Sequence, residues 1–129
     1  AQIGTPMAFE TLEAAGTMLG TGAVVVMDEG TCMVDVARRL MRFFAHESCG
    51  RCVPCRVGTR RMLEILERLE TGRGKPGDVE RLRELANSIR GLTFCPMGDA
   101  ATNPVLSGLQ LFPEEYEYHV THKRCVVAA

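Results

Sequence analysis

The chain has little net charge, no long apolar run and no signature of the common hydrolytic or nucleotide-driven enzymes. Its 129 residues carry 15 Lys+Arg against 16 Asp+Glu, a formal net charge of −1, so nothing pulls it generally toward nucleic acid or a membrane surface. The longest clean apolar run, Ala23 to Met27, is far short of a membrane span. No basic segment precedes an apolar stretch near the N-terminus, so no signal peptide is expected. Walker loop, catalytic triad and zinc-protease motif are all absent. Gly72-Arg-Gly-Lys-Pro-Gly77 does match GxGxxG. That fingerprint must follow a strand and open a helix within a βαβ unit, whereas here it joins two helical segments and reads as a hairpin loop. Hydrophobic residues at 46% and charged residues at 24% are ordinary for a globular protein. The length suits one domain, or a small domain plus part of another.

What the chain does have is cysteine. Three of its six cysteines, Cys49, Cys52 and Cys55, stand three residues apart within Glu47-Ser-Cys-Gly-Arg-Cys-Val-Pro-Cys-Arg56. Cys95 follows 40 positions after Cys55, directly before Pro96. Without a secretory signal, such dense packing favours metal binding in a reducing, cytoplasmic setting over a disulfide framework. Three close cysteines and a remote Cys-Pro suit a cubane iron–sulfur cluster. A structural Cys₄ zinc site, which prefers two paired CxxC knuckles, is the alternative; it would make the chain a zinc-binding interaction domain.

The pattern around these cysteines is mainly α. Thr5-Pro6 opens a short helix through Met7, Phe9, Leu12 and Ala15, and Ala23-Val-Val-Val-Met27 reads as a buried strand. One helix and one strand cannot bury their own faces, so residues 1–30 are expected to be the end of a larger α+β unit. Residues 31–129 read as a helical domain. Thr31 should cap a helix with Met33, Val34, Ala37, Leu40, Met41 and Phe44 on one face, fraying at His46 to Ser48. A second helix should start after Cys55, with Glu64 and Arg68 paired at i,i+4, and end at Gly72. A third should be capped by Asp78 and stopped by Gly91. Met97 to Phe112 is helical in composition but broken or kinked at Pro104, and Pro113 opens a last charged segment.

If the second and third helices form an antiparallel hairpin, they run out roughly 22 Å and back roughly 20 Å, which returns Cys95 to the level of Cys55. The second helix then presents its N-terminus to the cluster, with Arg51, Arg56, Arg60 and Arg61 nearby. Both features lower the penalty for adding an electron to an already anionic cubane. Among the remaining candidates, Cys32 reads as a small core residue in a first helical turn and Cys125 as an unpaired tail thiol. His46 reads as a helix-end cap, and His119 and His122 as surface residues.

The motif Glu47-Ser-Cys-Gly-x-Cys-x-Pro-Cys-Arg56-x-Gly58 resembles the flavoprotein subunit of respiratory complex I and of NAD-linked hydrogenases and formate dehydrogenases. Thr5-Pro6, Gly20-Thr-Gly22, Met33-Val34-Asp35, Phe94-Cys95-Pro96 and Asp99-Ala100-Ala101 extend the resemblance over nearly the whole chain. The resemblance implies a parent protein with a Rossmann-like domain for FMN and NADH, a ubiquitin-like β-grasp domain, and a helical bundle with one [4Fe-4S] cluster. Residues 1–30 would then end the β-grasp domain and residues 31–129 would be the bundle. Cys49, Cys52, Cys55 and Cys95 would hold the cluster, which takes electrons from the reduced flavin. The FMN/NADH loop is missing, so the chain alone is not expected to oxidise NADH. It would be a fragment or one chain of a split subunit, within an NADH:quinone oxidoreductase or an NAD-linked hydrogenase or formate dehydrogenase. Its expected partners are the FMN/NADH-binding domain or chain and other iron–sulfur subunits, without nucleic acid or direct membrane insertion. The expected location is the cytoplasm, or the cytoplasmic face of the inner membrane through partner subunits. The ending His122-Lys-Arg-Cys125 looks more like the hydrogenase and formate dehydrogenase branch.

Overall fold

The computed structural model describes residues 4–127; the last two residues of the tail, expected to carry no signal, lie outside the described residues. Helix α1 spans Phe9–Ala14, α2 Met33–Glu47, α3 Val53–Glu70, α4 Asp78–Asn87, α5 Met97–Leu111 and α6 Pro113–His122. Helix α3 lies at the centre and packs against α2, α4, α5 and α6. Met41, Met62, Leu66, Leu82, Ile89 and Leu109 are fully or almost fully buried between them. These residues sit where the period of the sequence puts an apolar stripe. Tyr116 is also fully buried, in space left by the missing side chain of Gly108.

Helices α3 and α4 form the antiparallel hairpin. At the tip, Arg68 near the end of α3 pairs with Asp78 at the start of α4 at 2.6 Å. At the open end, Gly58 in the second turn of α3 faces Ile89, just past α4. A Cβ on Gly58 would meet Ile89 Cγ1 at 2.8 Å, so glycine sets how closely the two arms approach.

Several boundaries differ from the sequence expectations, each for a local reason. Helix α3 starts at Val53, because Pro54 fits the first helical turn, so Cys52 is its N-cap and Cys55 lies inside it. Helix α2 is capped by Cys32 instead of Thr31: Cys32 Sγ accepts the Asp35 N–H at 3.4 Å, while Thr31 donates to Asp28 Oδ1 at 2.8 Å. Gly77, in the left-handed conformation at φ 85°, precedes α4 as its N-cap. Asp78 instead folds back to accept the Lys75 N–H at 2.9 Å and to meet Arg68. Arg68 is thereby drawn away from Glu64, which pairs with Arg61 at 2.9 Å. Helix α4 ends at Asn87, earlier than expected, and the chain turns through to Gly91 at φ 70°. Helix α5 runs through Pro104 without interruption.

The N-terminal segment stands apart. Helix α1 buries none of its residues and packs on no other helix; Met18 Sδ accepts from Asn103 Nδ2 at 3.2 Å. The expected strand at Ala23 to Met27 has no partner among the described residues, and Val24, Val25 and Val26 are exposed.

Two outcomes follow for stability. Gly58→Ala should destabilise the bundle by about 1–3 kcal/mol through overpacking, and Ile89→Val in the same chain should recover part of that loss in chemical denaturation. Burial works to raise the Asp78 carboxyl, but Arg68 and the Lys75 N–H outweigh it and hold the group below its usual range. Its stabilising effect is therefore complete above the unfolded carboxylate value and is lost as pH falls through the lowered folded value. Asp78→Asn should be less stable than the wild type at about pH 7, with the difference closing by about pH 2.

Candidate metal centre

The cysteine motif occupies the junction between α2 and α3. Helix α2 ends at Ser48 in extended backbone, and the chain reverses at Gly50, whose φ of 80° favours glycine. Arg56 closes this turn: its Nη1 donates to Gly50 O at 2.6 Å, and its Cδ would lie 3.7 Å from a Cβ on Gly50. Cys52 then caps α3, and Pro54 removes a backbone donor where none is needed. Cys55 is buried in the first turn, with Thr59 Oγ1 donating to its carbonyl at 2.7 Å. Ser48 Oγ lies 3.4 Å from Cys55 Sγ. Cys49 is exposed and Cys52 half-buried.

The second cysteine segment reaches this turn. After α4 the chain folds through Gly91, whose N–H donates to Asp99 Oδ1 at 2.7 Å. A Cβ on Gly98 would strike Thr93, so the turn sits tightly on the start of α5. Thr93 Oγ1 donates to Cys95 O at 3.0 Å. The Phe94 N–H donates to Cys52 Sγ at 3.3 Å, across 42 positions of sequence. Arg51 lies over the Phe94 ring, 5.9 Å from its centroid. The hairpin thus returns the Cys95 turn to the first motif, with Cys95 itself exposed.

The donor set fits a cubane. Cys52 and Cys55 stand at the N-terminus of an 18-residue helix, where free backbone N–H groups and the helix dipole favour negative charge, and the turn that carries Cys95 is held there through Phe94. Three cysteines at three-residue spacing and a fourth from a separate turn are the donor chemistry of a cubane cluster.

Among the other candidates, His46, His119 and Cys125 differ from their sequence reading, while His122 is at the surface as expected. His46 does not cap α2 but is exposed, with Nδ1 2.9 Å from Glu47 Oε1. His122 is exposed and stacks on Tyr118 at 4.0 Å. His119 is fully buried, and Cys125 is 8% exposed; neither is the surface or free tail group expected. Both lie beside Cys32 and Glu115. Burial pushes the Cys32 thiol well above its ordinary value. A clue is present in α6: Tyr116, His119 and Val120 share one helical face (i, i+3, i+4), and a histidine on an apolar face is a buried one.

Residues 35–119 match the family described as the NADH-ubiquinone oxidoreductase-F iron-sulfur binding region. The chain is 45% identical over 120 residues to the F subunit of the NADH-quinone oxidoreductase of Streptomyces coelicolor, covering 93% of this chain and 27% of that protein. It is 43% identical over 117 residues to the NADP-reducing hydrogenase subunit HndC of Solidesulfovibrio fructosivorans, covering 91% and 24%. An NAD⁺-reducing [NiFe]-hydrogenase in the H₂-reduced state is similar in structure, with a TM-score of 0.70 and 35% identity, over 74% of this chain and 16% of that one. The chain spans about a quarter of the length of the curated relatives it matches. Among the described residues no helix is long and apolar enough to cross a membrane. A helical bundle, a three-cysteine motif with the Cys95 turn beside it and a family match over most of its length agree: the chain belongs to the iron–sulfur binding region of the NADH-ubiquinone oxidoreductase F family, an electron-transfer module for a [4Fe-4S] cluster.

Proposed function

We propose that Cys49, Cys52, Cys55 and Cys95 each bind one iron of the cluster, and that the chain relays single electrons from a reduced flavin elsewhere in the parent protein to further iron–sulfur centres. The observation that carries this reading is the Phe94 N–H donated to Cys52 Sγ, which joins the two cysteine segments. The cluster supplies one-electron storage by delocalising charge over iron and sulfur. The chain's own residues set how easily that charge is accepted. The Phe94 N–H and the Ser48 hydroxyl direct donors at two of the sulfurs, the N-terminus of α3 faces the anion, and Arg51 and Arg56 flank the turn. Each lowers the cost of reduction and raises the potential.

Residues 1–30 are proposed to end a β-grasp domain and residues 31–129 to form the cluster domain. The isolation of α1, the unpaired stretch Ala23 to Met27 and the exposure of Val24 to Val26 support that division. These residues and the 89% exposed Phe94 would be covered by the FMN/NADH-binding part and by other iron–sulfur subunits of an NADH-linked oxidoreductase. The assembly would work in the cytoplasm or on the cytoplasmic face of the inner membrane.

Protein prepared without air should be brown and hold about four irons per chain. Cys→Ser at any of positions 49, 52, 55 or 95 should remove the [4Fe-4S] spectrum. A colourless wild type with zinc on four thiols, or a Cys95→Ser variant with its full cluster, would reject the assignment. Arg56→Ala and Ser48→Ala should each lower the midpoint potential, on the order of tens of millivolts for one lost charge or hydrogen bond, as read by redox titration. An unchanged or higher midpoint would remove that residue from the tuning set.

A further inference from the structure

A second group of metal-ligating side chains lies at the opposite end of α3 from the cysteine motif, roughly 27 Å along the helix axis. Cys32 caps the N-terminus of α2, Glu115 and His119 stand one turn apart on α6, and Cys125 follows α6 in the tail. One donor atom from each lies within 4.8 Å of all the others. Cys32 Sγ and His119 Nε2 are 3.4 Å apart. The edge of a tetrahedron with metal–sulfur bonds of about 2.3 Å and metal–nitrogen bonds of about 2.0 Å is about 3.5 Å.

The surroundings prepare these atoms as ligands. His119 is fully buried, and its Nδ1 lies 3.2 Å from the Leu69 carbonyl. A carbonyl only accepts, so Nδ1 carries the proton and Nε2 directs a lone pair at the thiols, as in metal-ligating histidines oriented by a second partner. Cys32 Sγ accepts the Asp35 N–H at the start of a 15-residue helix, which fixes the sulfur's place; burial holds the free thiol protonated, and bonding to an ion would remove that proton. Glu115 is anchored by the Met33 N–H, 2.8 Å from its Oε1. Cys125 is carried inward by Lys123, the sole non-glycine residue with positive φ among those described. Lys123 Nζ donates to Gly74 O, and its carbonyl occupies the space a side chain on Gly72 would need. The family match covers Glu115 and His119 but neither Cys32 nor Cys125.

We propose that Cys32, Glu115, His119 and Cys125 form a closed site for one zinc ion, distinct from the iron–sulfur centre, which fastens the C-terminal tail to the start of α2. Two sulfurs, one imidazole nitrogen and one carboxylate oxygen are a zinc donor set with no position left for substrate, so the site is structural. Each thiol loses a proton as its sulfur bonds the ion, two protons pass to solvent, and no electron is transferred.

The test is element-specific. The full chain, prepared without air and offered one equivalent of zinc before desalting, should retain about one zinc beside its iron. The zinc absorption edge should fit two sulfurs at about 2.3 Å and two lighter atoms at about 2.0–2.1 Å. Cys125→Ser and His119→Gln should each weaken zinc retention more than about tenfold while iron content and visible spectrum stay unchanged. No retained zinc, zinc surrounded by four sulfurs, undiminished zinc in both variants, or a Cys32–Cys125 disulfide in the intact mass of the anaerobic protein would overturn the site. Because iron and zinc are read separately and the edge is measured on the wild type, failure of this site is distinguishable from loss of the cluster and from misfolding of a variant.

Discussion

The bundle depends on one constraint: α3 must be covered along its length while its first turn stays available to the cysteine motif. Helices α2, α4, α5 and α6 supply the cover. The hairpin with α4 meets both demands because its two ends are set independently. Arg68 and Asp78 fix the tip, Gly58 and Ile89 fix the spacing at the base, and the few residues after Ile89 have only to turn once to bring Phe94 to Cys52. The turn that carries the remote cysteine is thus returned beside the motif by two matched helix lengths, without a long loop to order.

That part of the design is legible in the sequence because it is local or periodic. The spacing of Cys49, Cys52 and Cys55, the apolar stripes of α2 to α4 and the glycine at the hairpin tip are all short-range patterns. The return of the Cys95 turn needs only two helix lengths and a turn. The cap residues are less legible: cysteine is not among the usual N-cap residues, and Asp78 has the chemistry of a cap while its carboxylate is used by Arg68 and the Lys75 N–H. Pro104 misleads in the other direction, since tertiary packing carries α5 through it. The run Ala23 to Met27 has strand composition, but a ladder needs a second strand, and none stands beside it among the described residues.

The grouping of Cys32, Glu115, His119 and Cys125 is illegible for a different reason. Its members come from the two ends of the chain, and each looks ordinary in its own surroundings. Only the fold, by laying α6 and the tail against the end of α3, turns four scattered side chains into a constellation.

Contact between Cys32 and His119 spans 87 positions of sequence, and that between Met33 and Glu115 spans 82. The hairpin, by comparison, closes Arg68 on Asp78 across 10. Loop-closure entropy favours the short closure first, so the hairpin is the natural nucleus and the union of the two ends comes late. Interactions that form after the folding barrier do little for the rate of folding but slow unfolding. The clasp between the start of α2 and the end of α6 is thus a kinetic latch. It lengthens the life of the assembled bundle, and with it the time for which the distant cysteine turn stays closed.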